Sequence, residues 1–201
     1  MAQLRIPLDA TRFATGMTWK DYLAQMGDTR ARTEDNYQHA SLTEEERRFF
    51  AGIRQVRYAV MLAENWCGDV HRNSPMLARI VEAMPHCELR VFFRDQNLDL
   101  TDAFLNNGYR SIPVVVFFDQ DWNEVARWIE RPHAATQRSF AIRSKTTDLA
   151  PPDKQEAALN EFRSQVQAAY VTPTPDKSLW RDTVKEVRMV LELRLGLAAK
   201  A

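Results

Sequence analysis

The chain has 201 residues, 45% hydrophobic and 27% charged, the proportions of an ordinary globular protein with room for one sizeable core. Lysine plus arginine number 27, as do aspartate plus glutamate, so no global field exists for nucleic acid or an acidic membrane. Two cysteines, Cys67 and Cys87, are too few for a disulfide-stapled secreted scaffold, and residues 1–11 hold no apolar run of leader length. The expectation is a cytoplasmic protein with reduced thiols.

In chain order, Thr18 offers an N-cap hydroxyl to a helix with Trp19, Tyr22, Leu23 and Met26 at helical spacing. Thr43-Glu44-Glu45-Glu46 is a capping box leading into Phe49, Phe50 and Ile53 on one face. Residues 56–63 read as a strand that runs straight into Glu64-Asn65-Trp66-Cys67-Gly68-Asp69. Met76, Leu77, Ile80, Val81 and Met84 then mark a helix closed by Pro85. A second strand follows at 88–94, and Leu100, Phe104 and Leu105 suggest a short helix ended by Gly108. Residues 113–118 and 123–128, around the polar turn 119–122, read as a hairpin. The order is β-α-β-α-β-β: a crossover helix makes the first two strands parallel, and the hairpin brings antiparallel partners.

Residues 131–152 are polar and irregular, which predicts a surface loop or a partly helical connection. Beyond it, Asp153-Lys154-Gln155-Glu156 resembles another capping box, with Leu159, Phe162 and Val166 directed inward. The last segment, 178–195, carries the apolar stripe Trp180, Val184, Val187, Leu191 and Leu195, with Gly196 as terminator. The apolar runs 58–63 and 112–118 are too short to cross a bilayer and read as buried strands.

Cys67 stands where a strand hands over to a helix. The first N–H groups of a helix lack internal partners and the macrodipole is positive there, so a thiolate is stabilised. Such settings lower a cysteine pKa from about 8.5 toward roughly 3.5–7.5. Asp69 and Glu64 oppose that effect, and a lone cysteine also serves as an inert small apolar residue. Cys87 lies beyond a helix roughly 24 Å long, whereas a disulfide needs Cα atoms within about 7 Å, so Cys87 reads as structural.

Ligands gather at the carboxyl ends of parallel strands, which places Arg94, Arg110 and Arg131 around the thiol. These cations either steady a thiolate or an anionic thiol, or pair locally: Arg94 with Asp95 or Asp99, Arg131 with Glu130 or Asp69. His71, one helical turn past Cys67, is a base, a ligand or a surface residue. With no Cys/His cluster and no Gly-rich phosphate loop, neither a metal nor a cofactor is expected.

Trp66-Cys67-Gly68, Pro75 eight residues after the cysteine, and Arg110-Ser111-Ile112-Pro113 before a strand resemble the thioredoxin superfamily. The resemblance spans residues 56–128 and implies an α/β thioredoxin fold, a mixed central sheet flanked by helices, with additional N- and C-terminal helices. The organisation is a single domain over 1–201: a helical extension at 1–54, a core at 55–131, and a loop with helices at 132–201. The resemblance implies a cis Pro113 packed against Cys67, with Trp66 as an apolar shelf, or else simple core filling. Gly68, Asp69, Ile112, Arg110 and Arg131 are the supporting or substrate-binding candidates. Trp-Cys-Gly-Asp together with Trp128-Ile129-Glu130-Arg131-Pro132 looks like a bacterial monothiol branch.

The departures limit the chemistry. Val70 stands where thioredoxins carry the second cysteine, and Met61 where they carry a buried acid, so the dithiol–disulfide cycle is excluded. Two readings follow. In one, Cys67 attacks a disulfide, a glutathionylated protein or a peroxide, and an external thiol resolves the product. Its partners are an oxidised protein or a low-molecular-weight thiol, with no nucleic acid and no membrane. In the other, the chain is a redox-inactive binding or scaffolding module whose extra helices form a partner or homodimer surface. Iron–sulfur ligation by paired monothiols lacks a second ligand pattern.

Overall fold

The computed structural model describes residues 6–148, 150–171 and 177–197. Residues 1–5, 149, 172–176 and 198–201 lie outside the described residues.

The apolar run Tyr58–Ala63 becomes β1, and all of it beyond Tyr58 is buried because the strand lies inside the sheet with helices on both faces. The sheet order is β2-β1-β3-β4. β2 (Glu88–Phe93) runs parallel to β1, while β3 (Val114–Phe118) pairs antiparallel with β1 and with β4 (Glu124–Ile129). This is the mixed sheet the sequence predicts.

The segment before β1 holds α1 (Ala10–Ala14), α2 (Trp19–Ala24), α3 (Arg30–His39) and α4 (Glu44–Ala51). Thr18 caps α2, and Thr43 with Glu46 closes the capping box of α4 in both directions. Between α1 and α2, Met17 forms an antiparallel bridge with Val91, so the chain start lines the outer edge of β2. Gly16 permits that approach, since a Cβ there would lie 2.6 Å from the Phe92 ring.

The crossover helix α5 (Gly68–Glu82) buries Met76, Leu77, Ile80 and Val81, and also His71, Arg72, Asn73 and Ser74. Polar residues are buried there because α3, α4, α8 and α9 pack on the helix as well as the sheet. The side chains of His71, Asn73 and Ser74 are hydrogen-bonded, as burial requires. Thr33 Oγ1 meets His71 Nδ1 at 2.7 Å, Trp180 Nε1 donates to the Arg72 carbonyl at 2.8 Å, and Thr183 Oγ1 donates to Asn73 Oδ1 at 3.2 Å.

After β2 comes the short α6 (Leu98–Asp102). The polar stretch 131–152, read as a surface loop or partly helical, contains a 14-residue helix, α7 (His133–Thr146). It has no apolar stripe: its buried side chains are Ala135 and Thr146. The capping box anticipated at Asp153–Glu156 does not form. Pro152–Lys154 is instead a 3₁₀ turn leading into α8 (Gln155–Val171), where Pro152 pre-sets the turn. Leu159 is 38% exposed rather than inward, while Phe162 and Val166 are partly buried. Helix α9 (Lys177–Leu195) buries Trp180, Val184, Val187 and Leu191 as its stripe predicts, and Gly196 follows at φ +65°. No described helix is long and apolar enough to cross a membrane.

Candidate functional site

β1 ends at Ala63 and α5 begins at Gly68, so Glu64–Cys67 form the strand-to-helix turn. Cys67 is the N-cap residue, in extended conformation, and half-buried. Its Sγ lies 3.7 Å from the carbonyl oxygen of buried Ile112, whose peptide bond to Pro113 is cis. The Pro113 carbonyl accepts the Glu130 backbone N–H at 2.6 Å, which fastens the end of β4 to the same loop. Glu130 sits at φ +69°, and Asn73 Nδ2 donates to its carbonyl at 3.2 Å. From there Arg131 reaches Asp69 of α5, with Nη1 3.3 Å from Oδ2, and also pairs with the Glu130 carboxylate. Cys67, Asp69, Ile112, Pro113 and Arg131 thus converge at one edge of the sheet.

The electrostatics reverse one expectation. The backbone N–H groups of Val70 and Asp69 do favour the Cys67 thiolate, as does Arg131, but burial raises the thiol pKa more and the Asp69 charge adds to the rise. Cys67 is therefore a weaker acid than an ordinary thiol, because a helix N-terminus cannot offset desolvation here. Burial also raises the Asp69 carboxyl to about 6; Arg131 opposes the shift and Glu130 adds to it. Burial works against the Arg131 guanidinium, yet Asp69 and Glu130 hold it charged.

The arginines divide. Arg131 acts on the thiol. Arg94 lies over the exposed Trp66 ring, 4.8 Å from its centroid, bonds Asp95 at 2.8 Å and donates to the Arg110 carbonyl at 3.0 Å. Arg110 points into solvent and grips Asp102 with two hydrogen bonds of 2.7 and 2.9 Å. Trp66 is 57% exposed, so it does not fill the core. Gly68 opens α5 beside it.

His71 is neither at the surface nor free to act as a base. Its ring is buried against Thr33, and burial, aided by Arg32, lowers its pKa to about 4. Burial pushes the Cys87 thiol up to about 12, and both cysteines are free. Among the described residues no group of three or more His, Cys, Asp or Glu is placed to hold a metal ion.

Tyr22 escapes sequence reasoning as a member of this region, whereas the sequence already places the Glu64 charge near Cys67. Glu64 is 7% exposed and accepts the Asp95 backbone N–H at 2.8 Å. The Tyr22 hydroxyl is fully buried with no hydrogen-bond partner among the described residues. Burial, Glu64 and Cys67 all push its pKa up. Only the apolar spacing of the second helix marked Tyr22, and that signal does not distinguish core from site.

A family model described as Thioredoxin matches residues 16–145, from the Gly16 crossing to the end of α7. The chain belongs to the thioredoxin family. No curated protein matches it. Two solved structures share its fold. One is a protein of unknown function from Pseudomonas aeruginosa, 16% identical, covering 92% of this chain and 96% of that one at a TM-score of 0.60. The other is an HIV epitope-scaffold, 15% identical, covering 91% and 96% at 0.59. Within this thioredoxin-family fold, Val70 and Met61 are both fully buried apolar side chains, so Cys67 has neither a vicinal thiol nor an acid at the Met61 position.

Proposed function

We propose that this thioredoxin-family protein is a monothiol thiol–disulfide exchanger of the bacterial cytoplasm. Cys67 attacks the disulfide of an oxidised or glutathionylated protein, and a low-molecular-weight thiol releases it. The observation that carries the reading is Cys67 Sγ held 3.7 Å from the Ile112 carbonyl, at a helix start beside Pro113 and the exposed Trp66. The Ile112–Pro113 backbone and Trp66 then align the substrate, while Arg131 moderates the thiol. A thiol of raised pKa is a scarce but intrinsically strong nucleophile, since nucleophilicity rises with basicity. The test is reduction of a glutathione mixed disulfide, followed by release of protein thiol. Wild-type protein should accelerate it and Cys67→Ser should not; equal rates overturn the proposal.

The raised Cys67 pKa and the buried apolar residues at 61 and 70 favour a second reading, a redox-inactive binding module. It requires that Cys67→Ser leave every exchange activity unchanged while a specific partner, or a second copy of the chain, still binds.

A further inference from the structure

We infer that Arg94 is a positioning residue for polypeptide substrates: by stacking on Trp66 and holding the Arg110 carbonyl, it fixes the spacing of the two surfaces that flank Cys67. The inference rests on the monothiol reading above and assigns the alignment of the substrate to a side chain that acts through its neighbours.

Two segments distant in sequence meet at the thiol. One is the Glu64–Cys67 turn between β1 and α5, which carries the exposed Trp66. The other runs from Asn106 to Pro113 into β3 and brings the Ile112 carbonyl 3.7 Å from Cys67 Sγ. Both are irregular backbone, so neither a sheet ladder nor a helix sets their spacing. Arg94 stands between them at the carboxyl end of β2, where the 3₁₀ turn Arg94–Gln96 begins. Its guanidinium lies 4.8 Å from the Trp66 ring centroid, and its Nη1 donates to the Arg110 carbonyl at 3.0 Å. Its Nε donates to Asp95 Oδ1 at 2.8 Å, and the Asp95 backbone N–H donates to Glu64 Oε1 at 2.8 Å. The turn thus grips the Cys67 segment at Glu64 and Trp66, and the Pro113 segment at Arg110.

The side chain suits this task. A planar guanidinium presents its face to an indole and its donors around the rim at the same time, which a lysine ammonium cannot do. The Arg94 side chain is 19% exposed, and shielding from water strengthens a cation–π contact. The cation that acts on the thiol is Arg131, and the Arg110 guanidinium is taken by Asp102, which leaves Arg94 to act on geometry. Exchange needs the attacking sulfur aligned with the S–S bond, and a misplacement of about 1 Å can cost on the order of 100-fold in rate. A polypeptide laid across Trp66 and Ile112–Pro113 is aligned by both surfaces, so their spacing matters to it. A small disulfide reaches Cys67 without spanning them.

The experiment measures exchange by the full chain, with glutathione as resolving thiol, on two substrates that share a 2-mercaptoethanol half. One is a peptide whose cysteine is disulfide-linked to 2-mercaptoethanol; the other is bis(2-hydroxyethyl) disulfide. The readout is the ratio of kcat/KM for the peptide to that for the small disulfide. In Arg94→Leu this ratio should fall about tenfold or more, while iodoacetamide alkylates Cys67 at the wild-type rate and Cys87 stays protected. Arg94→Lys, which keeps a cation and a donor, should restore part of the ratio. An unchanged ratio in Arg94→Leu, or equal losses on both substrates, overturns the positioning role. Slower Cys67 alkylation places the effect on the thiol itself and overturns it too. Should Arg94→Leu expose Cys87 to alkylation, Arg94→Lys decides: a reduced ratio supports the role and a wild-type ratio overturns it. If Cys67→Ser matches wild type on both substrates, the monothiol reading falls and the positioning role with it. If Cys67→Ser is inactive and the Arg94 variants keep the wild-type ratio, the positioning role alone falls.

Discussion

Asn36 Nδ2 donates to the His71 carbonyl at 2.8 Å, and that carbonyl is the one Pro75 leaves without a helical partner. A proline inside a helix removes the N–H that would bond four residues back. Here α3 supplies the missing donor, so the helix that begins at Cys67 is completed by a residue far away in the chain. Asn36→Leu should therefore destabilise the fold by about 1–3 kcal/mol, the cost of leaving a buried acceptor unmet. Urea unfolding with an unchanged m-value checks this; a loss below measurement error contradicts it.

The Cys67 thiol should react slowly in the native state. Burial raises its pKa above an ordinary thiol, and that of Cys87 further, to about 12. Alkylation followed by mass spectrometry should show Cys67 ahead of Cys87 at every pH, and both accelerating together in denaturant. Rapid native labelling of Cys67 below neutral pH would contradict this electrostatic picture.

Two buried groups give stability opposite pH dependences. Asp69 titrates at about 6 when folded, against about 3.9 in an unfolded chain. With its folded pKa raised, its contribution is fully present below the unfolded value and is lost as pH rises through about 6. At neutral pH, Asp69→Asn should then be more stable than wild type by on the order of 1 kcal/mol. Melting curves on either side of that value decide it: the gain should vanish in acid.

His71 runs the other way. Its folded pKa of about 4 lies below the unfolded value of about 6.5, so its contribution is present above the latter. It is lost as pH falls toward about 4. His71→Gln should lack this acid limb, read from denaturation midpoints across that window. An identical limb in the variant would assign the acid sensitivity to another group.

Gly16 should not tolerate a side chain. A Cβ would fall 2.6 Å from the Phe92 ring and 2.7 Å from Arg90 Cβ, where the chain crosses to the Met17–Val91 bridge. Gly16→Ala should cost about 1–3 kcal/mol through overpacking, measured by thermal unfolding. Retention of wild-type stability would show that the amino-terminal segment is free to move off β2.

The amino-acid sequence by itself did not determine helices α1 and α3, but it determined the strand order, the Thr43–Glu46 box, the helix start at Cys67 and the Gly196 terminus. These are decided by neighbours within a turn or a strand: alternation, caps and glycine act locally. Helix α7 was less legible because Ala135 and Thr146, its buried residues, make no stripe. The site was half legible. The resemblance to thioredoxins brought Cys67 to Pro113, but the sequence alone left open which carboxylates engage Arg131, and it did not reveal that Arg110 turns to Asp102. The tertiary structure alone decided the acidity of Cys67. A helix start favours the thiolate from within a few residues, while burial and the Asp69–Arg131 pair act through packing from distant segments, and at this edge desolvation outweighs the dipole.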